Sequence, residues 1–249
     1  MPLAHSSRQQ QPVYPSNMDL FYLPELDASA TKVLFPKEES KHISRVLRKQ
    51  HGDMLRATNG KGFEAVIELI QVNNHKVEGE IKNRIEHTPL PYQLHLAIAP
   101  TKNINRLEWF LEKATEIGIH SITPLLCEHS ERKIIKPERL EKIIIAALKQ
   151  SQNVYLPQLK SLQSFEDFIP QHPKGYIAHC HEGEKTAFFN AVEANGDITL
   201  LIGPEGDFSI REVEMALQHD YTAVSLGKQR LRTETAALVG CHTVALKAQ

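Results

Sequence analysis

The chain has little cysteine, no long apolar run and almost no net charge. Its thiols, Cys127, Cys180 and Cys241, lie far apart without paired spacing. That argues against a disulfide framework and a zinc ribbon, and it suits a reducing compartment. No apolar stretch approaches the ~20 residues that cross a bilayer as a helix. A net charge of −1 supplies no overall basic field, so any grip on nucleic acid must come from a local patch. No internal repeat is found. Residues 1–17 are polar and rich in Gln, Ser and Pro, without the apolar core of a signal peptide. They read as a disordered leader, a cloning remnant or a misassigned start, with Met18 the working beginning. The expectation is a soluble, cytoplasmic protein with no membrane partner.

At 249 residues there is room for one or two domains and a sizeable core. Residues 18–86 favour β structure. Strand candidates cover residues 20–23, 32–35, 53–58, 63–70 and 76–81, the last two alternating apolar and charged side chains. Asn59-Gly60 signals a hairpin, lengthened by Lys61-Gly62. Residues 37–50 predict a helix with Ile43, Val46 and Leu47 on one face. Lys41, His42, Arg45, Arg48 and Lys49 occupy its other side, as a solvated face or as a phosphate-contacting patch. A small β-barrel with one basic helix fits this pattern.

Pro89 and Pro91 mark residues 83–92 as a linker and domain boundary, set at residues 87–92. From residue 93 to 249 strands alternate with helices. Strands are expected at 93–99, 121–126 and 175–179, the second placed at an edge by Pro124. Helices are expected at 105–117, closed by Gly118, at 137–151 and at 186–194. The alternation predicts an α/β domain with a mostly parallel sheet covered on both faces.

Two strand–loop–helix units close the chain. The apolar run 198–202 stops at Gly203-Pro204-Glu205-Gly206, and Ser209 with Glu212 forms a capping box for the next helix. The run 223–226 ends at Gly227, and after Arg230, Leu231 and Arg232 a helix begins near Thr233 and Glu234. Two such loops can wall one pocket at the carboxyl ends of strands. Neither is a Walker loop or a dinucleotide fingerprint. His179-Cys180-His181 is the densest group of ligand-type residues, but neighbours on a strand point to opposite faces, so no metal site is expected. Cys127 with His129 is a candidate thiol–imidazole pairing, and nothing orients it.

Taken together, Ile202-Gly203-Pro204-Glu205-Gly206, Phe208-Ser209, Glu212-Val213 and Leu226-Gly227 resemble the 16S rRNA uracil-N3 methyltransferase family (RsmE type) of the SPOUT superfamily. So does Leu231-Arg232-Thr233-Glu234-Thr235-Ala236. Residues 112–118, Lys149-Gln150-Ser151, residues 42–48 and Gly52-Asp53 extend the resemblance from about Met18 to the end. The chain departs from the family pattern at Asp207, where glycine is usual, at Gln229-Arg230 and at Gln152-Asn153, which leaves Arg232 the strongest basic candidate.

The resemblance implies a PUA-like β-barrel followed by an α/β trefoil-knotted SPOUT domain that pairs as a homodimer. It implies S-adenosylmethionine held by Leu201, Ile202, Gly203, Pro204, Glu205 and Gly206 on one side. Ser225, Leu226, Gly227, Leu231 and Arg232 would form the other. It implies methylation of a uridine N3 in 16S rRNA of the small ribosomal subunit, with Arg232 and Glu234 as catalytic residues. Lys41, His42, Arg45 and Arg48 would contact the RNA. Alternatives are a superfamily member acting on tRNA, ribose 2′-O methylation included, and a non-catalytic rRNA-binding module. The β-rich first domain and residues 232–236 favour the rRNA base enzyme over the first. Cofactor binding separates the second.

Overall fold

A computed structural model describes residues 18–249. The tract read as a leader lies outside the described residues. The first half is a five-stranded sheet in the order β1-β3-β4-β5-β2. Its strands are β1 (Leu20–Tyr22), β2 (Lys32–Leu34), β3 (Met54–Thr58), β4 (Phe63–Val72) and β5 (Val77–Glu86). All pairs are antiparallel except β1 with β3. Leu55, Ala57, Ala65, Ile67, Leu69 and Val77 point into one apolar core with Phe21, Phe35 and Ile43. β5 runs through Glu86, so residues 83–86, read as linker, belong to the sheet.

The expected helix over 37–50 is shorter. α1 (Lys37–Lys41) passes into one π-helical turn at His42–Val46. The Leu47 N–H reaches back to the His42 carbonyl at 3.0 Å, and Ser44 Oγ donates to the Ser40 carbonyl at 2.8 Å. A Ser side chain bonding back in this way competes with the regular ladder. The chain then reverses at Arg48 (φ 53°), and Asp53 takes the Gln50 N–H at 2.7 Å.

The second half is an all-parallel sheet with the main order β11-β13-β10-β12-β6-β7-β8. Its strands are β6 (Tyr92–Ile98), β7 (Ser121–Leu126), β8 (Gln158–Leu159), β9 (Gln163–Ser164), β10 (Gly175–Ala178), β11 (Thr186–Ala187), β12 (Gly196–Ile202) and β13 (Tyr221–Ser225). The helices are α2 (Ile104–Ile117), α3 (Pro137–Ser151), α4 (Phe165–Gln171), α5 (Phe188–Ala191), α6 (Ile210–Gln218) and α7 (Thr233–Lys247). Leu94, Leu96, Ile98, Leu200 and Ile202 pack under α2, α3 and α7. Ala97, Leu125, Leu201 and Phe208 pack with Phe165, Phe168 and Val213 on the opposite face. A sheet buried on both faces explains the unbroken apolar runs of its strands.

Two expectations are corrected, and one element is added. Pro124 does not place β7 at an edge. β8 pairs with β7 as far as Ile122 and β9 resumes at Leu125, so the missing N–H falls in the gap between them. The helix expected over 186–194 is a two-residue strand followed by the single turn α5. Its polar flanks give no continuous apolar stripe. α4, with Pro170 inside it, stands in a stretch for which the sequence reading names no element. Its Ser164 cap accepts from the Asp167 N–H at 3.1 Å.

The halves meet along residues 152–156. Gly62 N–H donates to the Val154 carbonyl (3.0 Å), Leu156 N–H to the Gly60 carbonyl (2.9 Å) and Arg56 Nη1 to Gln152 Oε1 (2.7 Å).

His95 on β6 lies half-buried against His172 and Phe168, with Nε2 2.8 Å from Thr123 Oγ1. Burial, followed by the charges of His172, Lys160 and His120, lowers its pKa to about 4. The unfolded chain therefore binds this proton more readily. Stability is fully present above ~6.5, the ordinary imidazole value, and is lost as pH falls toward 4. His95→Gln should flatten that part of the stability–pH curve, measured by urea unfolding between pH 7 and 4.

Candidate active site

The carboxyl ends of β6, β10, β12 and β13 open on one edge of the parallel sheet, where open α/β sheets place ligands. Gly203 follows β12 so closely beneath Phe208 that a Cβ would stand 3.0 Å from the ring. Any side chain there would displace it. Asp207 takes a left-handed backbone (φ 65°) at the point where the resembled family has glycine. Asp tolerates this conformation because its carboxylate bonds locally. Here Oδ1 accepts from the Phe208 N–H (2.9 Å) and Oδ2 from the Cys180 N–H (2.7 Å). The expected capping box is present, with Ser209 Oγ accepting from the Glu212 N–H and Glu212 Oε2 from the Ser209 N–H at 2.8 Å. Glu212 Oε1 also accepts from the Glu128 N–H at 2.8 Å. One buried carboxylate thus joins the glycine loop to the loop after β7.

The second loop is built differently. Ser225 Oγ accepts from the Gly227 N–H (3.3 Å) and donates to the Gly227 carbonyl (3.0 Å). Gly227 has φ 144° and open space where a side chain would stand, so the turn requires glycine. The two loops are tied by Thr233 Oγ1, which donates to the Gly203 carbonyl at 3.1 Å.

A cavity of about 450 Å³ opens beside this tie. Its lining is Val224, Ser225, Leu226, Gly227, Lys228, Gln229, Arg230 and Leu231, with Ala236 of α7, Ala178 at the end of β10, and His179, Cys180 and Lys185 beyond it. Leu201, Ile202, Gly203 and Pro204 are buried outside the lining, Gly206 is exposed, and Glu205 Oε1 accepts from the Lys102 N–H at 2.9 Å. The wall from β10 is the part that sequence reasoning misses. His179-Cys180-His181 is weighed there only as a metal site and set aside, whereas the usable signal is a strand end beside β13. His179 Nδ1 is buried without a partner. Burial, then the charge of Lys185, pushes the ring's pKa below its ordinary value. His181 Nε2 lies 2.6 Å from the Phe208 carbonyl, and Lys185 Nζ donates to the carbonyls of His179 and His181.

Arg232 is exposed, and its side chain has no hydrogen-bond or ion-pair partner among the described residues. Glu234 is 7% exposed. Its Oε1 lies 3.8 Å from Arg106 Nε of α2, and its Oε2 has no partner. The structure does not pair Arg232 with Glu234. Burial, then Glu212, raises the Cys127 thiol well above its usual range. The His129 ring faces the carbonyls of Gly206 and Asp207. Cys127 and His129 do not assemble as a thiol–imidazole nucleophile. Among the described residues no three His, Cys, Asp or Glu side chains gather as a metal site. Lys41, His42, Arg45 and Arg48 are all exposed, and none has an ion-pair partner among the described residues.

A family model described as an RNA methyltransferase domain matches residues 88–245, and one described as an RNA methyltransferase PUA domain matches residues 35–82. The class is therefore an RNA methyltransferase with a PUA-type domain. The ribosomal RNA small subunit methyltransferase E of Bacillus subtilis is 30% identical over 228 residues, covering 85% of this chain and 89% of its own. A probable rRNA-methyltransferase from Porphyromonas gingivalis superposes with a TM-score of 0.84 at 37% identity, covering 92% of this chain and 99% of that one. The structure of a ribosomal RNA small subunit methyltransferase E from Neisseria gonorrhoeae bound to S-adenosyl methionine gives 0.81 at 26% identity, covering 90% and 95%. The chain belongs to the ribosomal RNA small subunit methyltransferase E family.

Glu212 holds two backbone N–H groups and closes its own cap, so Glu212→Ala strands buried donors. It should lower the unfolding free energy by about 2 kcal/mol, read as a lower urea midpoint at unchanged slope.

Proposed function

We propose that the protein transfers the methyl group of S-adenosylmethionine to N3 of one uridine near the 3′ end of 16S rRNA. The carrying observation is the cavity at the sheet edge, whose lining includes Leu226, Gly227, Leu231 and Ala236 of the motifs on which the family resemblance rests. It lies within the ~300–1,000 Å³ range of small-molecule sites. Leu226, Leu231 and Ala236 give it apolar walls, and Gly227 leaves backbone open to close approach. These residues fit the cofactor. When bound, S-adenosylmethionine supplies a methyl already activated on a sulfonium.

Ser225, Leu226, Gly227 and Leu231 meet the cofactor directly. Leu201, Ile202, Gly203, Pro204, Glu205 and Gly206 act from behind, through the Thr233 tie to Gly203. Uracil N3 lies on the Watson–Crick edge and carries a proton, so the base must be unpaired or splayed out to reach the pocket. Arg232, exposed and uncommitted, offers its charge to the anion that forms as the proton leaves. Glu234 takes that proton. Holding N3 in line with the methyl group supplies most of the remaining acceleration. Lys41, His42, Arg45 and Arg48 grip backbone phosphates.

The wider reading has residues 18–86 closing as a PUA-like barrel, residues 87–92 as linker and residues 93–249 as a trefoil-knotted SPOUT domain. Two copies pair through that domain, and the enzyme works in the cytoplasm on the small ribosomal subunit. Gly240 supports the compact C-terminal part, since a Cβ there would strike the Leu200 side chain of β12.

The direct experiment is methyl transfer from labelled S-adenosylmethionine to small subunits lacking their own base methylation. Label recovered as 3-methyluridine at one 16S position is expected. Label on a ribose or on tRNA would move the function to another superfamily branch. Arg232→Ala should slow transfer by about a hundredfold or more with cofactor affinity kept, and near-normal turnover would remove Arg232 from its role. Lys41→Ala with Arg45→Ala should weaken rRNA binding and reduce its logarithmic salt slope by about 1 for each phosphate no longer neutralised.

A further inference from the structure

Four acidic side chains surround the two loops, and three are committed. Glu205 accepts from the Lys102 N–H, Asp207 from Phe208 and Cys180, and Glu212 from Ser209 and Glu128. Glu234 is the exception. It is buried at the start of α7, and its Oε2 has no hydrogen-bond partner. A buried polar atom in that condition is costly unless something compensates it. The helix N-terminus contributes, and a cation should do the rest.

The candidates can be sorted by what they already hold. Arg132 donates to the Thr101 and Lys102 carbonyls at 3.0 and 2.7 Å. The Lys102 ammonium pairs with Glu131 at 2.7 Å. Arg232 is exposed. Arg106 alone among the described residues stands within ion-pair distance of Glu234, at 3.8 Å. Its backbone is fixed in the first turn of α2, where the Asn103 side chain caps the helix through the Asn105 N–H.

We propose that Arg106 is a positioning residue for methyl transfer. It holds Glu234 with Oε1 toward its guanidinium, which leaves Oε2 the uncommitted acceptor for the target base. This rests on the uracil-N3 reading above. The 3.8 Å separation is looser than a hydrogen bond, as catalytic contacts often are before substrate binds. In the reaction the N3–H proton passes to Glu234 Oε2. The N3 electron pair forms the new N–CH3 bond, and the S–CH3 bond breaks with its electrons going to sulfur. An ionised Oε2 only accepts, so it selects a ring nitrogen that carries a proton, as uracil N3 does and cytosine N3 does not. Arg232 is left to face the carbonyl oxygens of the base.

The test is a single-turnover double-mutant cycle on small subunits, with cofactor and rRNA affinities measured alongside. Arg106→Gln should slow transfer by about thirtyfold with both affinities within about twofold, and Arg106→Lys should recover most of the rate. Glu234→Gln should be at least as slow, and the double variant no slower than Glu234→Gln alone. Thermal melting gives an independent readout, because Arg106→Gln should lower the midpoint and Glu234→Gln in the same chain should restore it. A normal rate for Arg106→Gln, or losses that multiply in the double variant while Glu234→Gln is slow, would overturn the assignment and leave the uracil reading standing. A full rate for Glu234→Gln removes the acceptor and the inference with it. Absence of 3-methyluridine with the unaltered protein would instead refute the proposed function.

Discussion

The molecule depends on the pairing of β12 with β6. The two strands run in register along their whole length, Gly196 beside Tyr92 and Ile202 beside Ile98, in the middle of a sheet buried on both sides. A slip of one residue would exchange Leu200 and Ile202 with Leu201 between the two apolar layers. It would also carry Gly203 away from Phe208 and Thr233. The edge that carries the candidate site is set by this register, since every loop there starts where a strand of this sheet ends.

Much of this is legible in the chain. The capping box at Ser209 and Glu212, the glycine at 203 and the amphipathic stripe of α2 follow from local rules, and each element stands where its pattern puts it. Features set by distant partners are not legible. Pro124 looks like an edge marker because its tolerance comes from two short strands that no local pattern announces. The helix after Pro36 reads as too long because the π turn at residues 42–46 breaks the expected stripe, burying Ile43 while leaving Val46 67% exposed. α4, with Pro170 inside it, carries no helix signal that the sequence reading picks out.

The site shows the same division. The residues supplied by β13 and its loop carry a motif that the sequence displays. The wall from β10 and the arginine beside Glu234 carry no motif, because their meaning lies in which strand and which helix adjoin them. Arg106 reads in sequence as one polar residue on an amphipathic helix. Only the approach of α2 to the start of α7 gives it a carboxylate. Acidic side chains elsewhere in the loops serve as struts for backbone N–H groups, which is how a glycine-rich edge stays ordered before any ligand arrives.

The contact between the halves bears on how the chain is made. Gly60 and Gly62 exchange backbone hydrogen bonds with Val154 and Leu156, and Lys61 bridges to Tyr155. During synthesis the β3–β4 connection emerges early, and its partner segment appears only after α2, β7 and α3 have left the ribosome. Through that interval the tip keeps only its local bonds, such as the Asn59 N–H to the Phe63 carbonyl and the Lys61 N–H to Asn59 Oδ1. Its last backbone bonds form only when the second domain arrives, which makes completion of the amino-terminal fold a late event in the birth of the chain.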